Sequence, residues 1–181
     1  MLLRSTLIYA PAILLTRMSA LLLIAVATRL IDQTEFGLLT LVVTIGEMTD
    51  VAVTNWLRIS LLRLGGKKDV SRGSLFLAAR VMVLTTLLAL AVSAAASTLV
   101  APDRWIEFAL AVGGYLIAGA IGRFALTVLQ MQQRHSTYSM LEFLRAVLQL
   151  ALPLLAIYIL PGSFLSISLG SSLGVLIAGL I

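Results

Sequence analysis

FGLLTLVVTIGEMTDVAVTNWLR, residues 36–58, decides the fold. A helix needs about 20 largely apolar residues to cross a bilayer, and this stretch meets that length. Yet Glu47 and Asp50 sit in it, one helical turn apart. A carboxylate at mid-membrane costs roughly 2.5–3.5 kcal/mol on insertion scales, so such residues turn to a cavity or a partner rather than to lipid. At about 100° per residue, Thr40, Thr44, Glu47, Asp50, Thr54 and Arg58 fall within an arc of about 120°. The segment therefore has one continuous polar face.

The rest of the chain has the same solvent. Of its 181 residues, 60% are apolar and 12% charged, about half the charge of an average soluble domain, and mean hydropathy is +1.08. Backbone polar groups in lipid must be satisfied internally, which selects helices. Six spans are expected, at 6–29, 36–58, 74–99, 106–131, 138–160 and 164–181, in an all-α polytopic membrane protein. The connections carry turn chemistry: a polar 31–35, a Gly- and Lys-rich 65–73, Pro102, and Pro161-Gly162. The region 130–139 is expected to be partly helical.

Net charge is +5, but the basic residues cluster between apolar segments, which marks the cytoplasmic side of a membrane protein and not a nucleic-acid surface. Arg4, Arg63, Lys67, Lys68, Arg72 and Arg134 fall on one side, against Arg29 and Arg104 on the other, placing the N-terminus in the cytoplasm. The opening apolar run is too long for a signal core and is interrupted by Arg17, so it reads as a retained first helix. With no cysteine, disulfides and thiolate metal sites are excluded. The apolar run ending at Ile181 lacks a flanking charge, so the chain is expected to be a piece of a longer protein.

Three other spans carry polar stripes. Thr6, Arg17 and Thr28 are spaced three turns apart on the first, where Pro11 is expected to kink the helix. Gly119, Arg123, Thr127, Gln130 and Arg134 line the fourth; Tyr138, Glu142, Arg145 and Gln149 line the fifth. Four helices with a polar face each can enclose a hydrated cavity. Arg17 reads either as a substrate contact or as the salt-bridge partner of Glu47 or Asp50. Arg58, Arg80, Arg134, Glu142 and Arg145 also read as groups snorkelling or pairing at the interface, and His135 as a solvated loop residue. The series Gly114, Ala118, Gly122 and the pair Gly170, Gly174 allow close helix packing. No P-loop, HExxH or GxSxG motif and no metal-spaced His or Cys cluster is present, so no enzyme, cofactor or metal is expected.

The stretch 28–37, TRLIDQTEFG, resembles the opening of the polysaccharide and O-antigen flippase branch of the multidrug/oligosaccharidyl-lipid/polysaccharide exporter superfamily. Arg29, Leu30, Glu35, Phe36 and Gly37 match its pattern, while Asp32 stands where glycine is usual. The stretch 129–138, LQMQQRHSTY, followed by Glu142 and Arg145, is similar to the family's connection between its fourth and fifth helices. The resemblance implies one six-helix lobe of a two-lobe transporter in the bacterial inner membrane. Its substrate would be a lipid-linked glycan, exported by alternating access, with the lipid tail left in the bilayer and a second lobe as partner. Arg17, Arg58 and Arg123 would then draw in the anionic diphosphate–sugar head. Glu47 and Asp50 would tune the field or bind a coupling H⁺ or Na⁺. Two alternatives stand beside it: a cation antiporter of the multidrug branch, in which the carboxylates dominate, and a non-transporting scaffold subunit whose polar stripes only join helices.

Overall fold

The computed structural model describes residues 2–65, 72–159 and 162–181. It is all-helical: α1 (Leu2–Leu30), α2 (Gln33–Gly65), α3 (Arg72–Val100), a 3-10 turn (Pro102–Arg104), α4 (Trp105–Met131), α5 (His135–Ile159) and α6 (Phe164–Leu180). Among the described residues, α2, α3, α4 and α5 are long and apolar enough to cross a membrane, and α6 is a shorter apolar helix. Lys67, Lys68 and Pro161 lie outside the described residues.

Helix ends follow local chemistry. Asp32 opens α2: its carboxylate accepts from Thr34 N (3.3 Å) and its carbonyl from Phe36 N (2.9 Å), so the residue that departs from the family pattern serves as a cap. Ser163 caps α6, accepting from Ser166 N at 3.3 Å. Between α4 and α5 the chain turns through Gln133 at φ 55°. Helix α5 begins at His135 and α4 stops at Met131, so His135 is a helix residue and Arg134 belongs to the connection rather than to the α4 stripe.

Helix α4 is the hub. Its buried side includes Phe108, Ala111, Val112, Leu116, Ala118 and Gly122, and it meets α2, α3 and α6 extensively. Helix α6 lies between α4 and α5; α1 lies along α5 and touches α2 only slightly. The outer face of α3 shows Leu77, Leu84, Leu88 and Val92, a surface that costs nothing against lipid tails.

Small residues set these approaches. A Cβ on Gly170 would lie 2.9 Å from the Pro153 backbone, and one on Gly174 would lie 2.8 Å from the Leu148 carbonyl. Both glycines of the GxxxG thus seat α6 on the α5 backbone, while Gly114 and Gly122 receive Leu169 and Val175 of α6. Because the atoms facing Gly174 are backbone, no side-chain rotation relieves the clash. Gly174→Ala is expected to destabilise the bundle by about 1–3 kcal/mol. Gly37→Ala, where a Cβ meets nothing within 4 Å, is expected to be neutral or slightly stabilising. Denaturation midpoints of the two variants in mixed micelles check this.

Candidate functional site

The weak contact between α1 and α2 leaves a groove between them, floored by α4, α5 and α6. One half is polar, with a volume of about 300 Å³. Its walls bring together Thr16 and Arg17 of α1, Glu47 and Arg58 of α2, Tyr115, Arg123, Thr127 and Gln130 of α4, and Tyr138, Glu142, Arg145 and Gln149 of α5. The four polar stripes do meet. From Glu47 to Arg58 the polar wall runs along three turns of α2, about 16 Å.

Asp50 is the buried acid of this region, its side chain only 3% exposed. Its partner is Arg123, which forms an ion pair with it, while Thr54 Oγ1 donates to Asp50 Oδ1 at 3.0 Å. The salt bridge from Arg17 to Glu47 or Asp50 is therefore not the arrangement found. Asp50 turns from α2 toward α4, whereas Arg17 reaches the groove from α1. Among the described residues, Arg17, Arg58 and Glu47 make no ion pair within 4 Å, although all three line the same polar half.

Glu142 and Arg145 do not snorkel outward but turn into the bundle. Their side chains are 10% and 19% exposed, and their charged atoms stand 3.9 Å apart, too far for a strong hydrogen bond. Glu142 instead accepts from Thr16 Oγ1 at 3.0 Å and from Tyr138 Oη at 3.4 Å, tying α1 to α5. Arg145 is left facing the groove. Arg123 Nε, Arg145 Nε and Gln149 Oε1 are buried without a hydrogen-bond partner among the described residues. Buried polar groups are otherwise nearly always partnered; these three atoms lie beneath the surface of residues that line the polar half. Arg80 stays outside, its guanidinium 4.3 Å from the Phe76 ring.

Tyr115 is absent from the α4 stripe as read from Gly119, yet it stands four residues before Gly119 and extends that stripe by one turn. It marks the centre of the groove, lining both halves together with Ala20, Glu47 and Gln149. Its ring lies directly on Gly46, where no side chain larger than hydrogen fits without displacing it. Beyond Tyr115 the groove becomes apolar, with a volume of about 290 Å³. Leu23 and Ile24 of α1, Phe36, Leu39 and Val43 of α2 and Ile167 of α6 line it.

Threonine gave the weakest part of the polar-face signal. Thr40 Oγ1 donates to Phe36 O and Thr127 Oγ1 to Arg123 O, at 2.9 and 2.7 Å. Such bonds to the preceding turn let a hydroxyl sit in apolar surroundings without a ligand.

At the end of the groove beyond its apolar half, Glu35 joins three elements. It pairs with Arg104 and accepts from Phe164 N, the first residue of α6, at 2.8 Å. Arg104 also reaches Glu107 at 2.6 Å and lies 4.9 Å from the Phe164 ring centre. Arg104, read from sequence as a topology marker, is thus part of a clamp. No model of a protein family, no curated protein and no solved structure matches this chain.

Proposed function

We propose that this chain is the N-terminal lobe of a flippase that exports a lipid-linked oligosaccharide for bacterial surface polysaccharide. It would work by alternating access in the inner membrane, with its N-terminus cytoplasmic and a second lobe completing the cavity. The observation that carries the reading is the groove with four arginines, Arg17, Arg58, Arg123 and Arg145, among helices otherwise suited to lipid. Arginine's planar fork matches phosphate oxygens. Arg123 is neutralised by Asp50, so Arg17 and Arg58 supply the charge that recruits an anion. Arg123 and Arg145 line the same half. At about 300 Å³ the polar half is at the small end of ligand sites, which suits a diphosphate and its first sugar rather than a whole glycan.

Each charge-assisted hydrogen bond to phosphate contributes about 1.5–3 kcal/mol. Arg17→Ala or Arg58→Ala, made in the full-length native gene, is therefore expected to cut surface glycan export by about tenfold or more, with membrane insertion unchanged. Immunoblots of surface polysaccharide in a complemented deletion strain measure it. Normal polysaccharide with both arginines removed rules the assignment out. Cation antiport has one observation in its favour: the groove carboxylate Glu47 makes no ion pair among the described residues. In that case the deletion strain keeps its glycan, becomes sensitive to cationic compounds, and is not rescued by Glu47→Gln.

A further inference from the structure

We infer that the apolar half of the groove is a binding site for the hydrocarbon chain of the same amphiphile whose anionic head occupies the polar half. This rests on the reading of the polar half as an anion site, and it replaces the expectation that the lipid tail stays in the bilayer.

Two observations carry the inference. First, the halves are one groove. Ala20, Glu47, Tyr115 and Gln149 line both, so the polar half that holds Arg17 and Arg58 and the apolar half adjoin at these four residues. Second, the apolar half is built for carbon and not for sugar. Its apolar lining includes Leu23, Ile24, Phe36, Leu39, Val43 and Ile167, and apart from the residues shared with the polar half its polar lining is hydroxyl alone, from Thr40, Thr44, Ser168 and Ser171. Two of the hydroxyls along it are committed to backbone carbonyls: Thr40 to Phe36 O at 2.9 Å and Ser168 to Ala111 O at 3.3 Å. A glycan there would forfeit hydrogen bonds it makes in water, at a cost of a few kcal/mol per unpaired group. A hydrocarbon chain forfeits nothing and gains contact with packed side chains.

Tyr115 divides the two environments. Its ring, seated on Gly46, presents carbon to the chain side, while Glu47 and Gln149 beside it give the head side its first polar groups. The groove therefore reads an amphiphile along its length: phosphate at Arg17 and Arg58, the head-to-chain junction at Tyr115, and hydrocarbon toward Phe36.

The test uses the purified chain in phospholipid nanodiscs, with inorganic diphosphate and farnesyl diphosphate as probes. Farnesyl diphosphate is expected to bind at least about tenfold more tightly than inorganic diphosphate, through burial of the isoprenoid chain. Val43→Trp and Ile24→Trp fill the apolar half from opposite walls; Val43 and Ile24 are exposed there, so both variants are expected to fold. Each should abolish the farnesyl advantage and leave inorganic diphosphate binding unchanged, which also reports an intact fold. Arg58→Ala should weaken both probes. A farnesyl advantage that survives both tryptophans, or equal binding of the two probes to the unaltered chain, overturns the chain site while leaving the anion site standing. If neither probe binds the unaltered chain, the anion site itself fails and the chain site falls with it.

Discussion

Replacing Arg123 with alanine is expected to cost the folded bundle about 3–5 kcal/mol, the penalty for leaving one member of a buried ion pair alone. The size of the effect comes from where Asp50 sits. Its side chain is 3% exposed and Arg123 is its paired cation. Without Arg123, Thr54 Oγ1 remains as a single neutral donor at 3.0 Å. The ionised carboxylate then has to be desolvated without compensation, or it takes up a proton. Asp50→Asn/Arg123→Ala removes the charge from both sides and is expected to recover more than half of the loss, since replacing both partners is far milder than orphaning one. Denaturation midpoints of the four proteins form a double-mutant cycle. A double variant as unstable as the sum of the single ones would show that the pair is not coupled. The scaffold alternative uses the same cycle with another readout. If the pair only joins α2 to α4, the double variant regains export together with stability; if Arg123 also holds the substrate, stability returns and export does not.

The second large effect belongs to Glu35. Glu35→Ala removes the ion pair to Arg104 and the acceptor of Phe164 N. That amide is among the first donors of α6, with no partner inside its own helix. Arg104 keeps Glu107 at 2.6 Å, so the guanidinium is not orphaned. The loss is one charge-assisted pair and one charge-assisted amide bond, about 2–4 kcal/mol together. Glu35→Gln keeps an oxygen for Phe164 N and loses the charge, and is expected to cost about half as much. Thermal melts of the two variants rank them. Equal melting points for Glu35→Ala and the unaltered chain would show that the Ser163 cap and the packing of Phe164 against Phe108 hold the α6 N-terminus without Glu35.

Helices and their polar faces were legible in the sequence. Helices occupy the six expected segments, starting up to four residues earlier and with α2 running on to Gly65; among the described residues α2, α3, α4 and α5 are long and apolar enough to cross a membrane. An apolar chain that must satisfy its own backbone has no other local option. The stripes of α2, α4 and α5 were legible too, because helical periodicity fixes the angle of each side chain about its own axis. Arg17, Arg58, Arg123 and Glu47 line one groove as that periodicity suggested.

What periodicity omits is which neighbour a stripe faces. Arg17 was the partner expected for Asp50; packing of α2 against α4, with α1 drawn to α5, chose Arg123 instead. The same packing turned Glu142 and Arg145 from interface candidates into groove residues, since depth along a helix says nothing about whether a side chain points outward. Glu35 and Arg104 stand 69 positions apart in the chain, and only the meeting of three helix ends joins them. The apolar half of the groove gave no signal of its own, because carbon lining a groove and carbon facing lipid have the same composition. The sequence by itself determined the helices, their apolar character and the polar stripes of α1, α2, α4 and α5. Tertiary structure alone decided which charges pair and where the polar groove gives way to an apolar one, because both depend on contacts between helices distant in the chain.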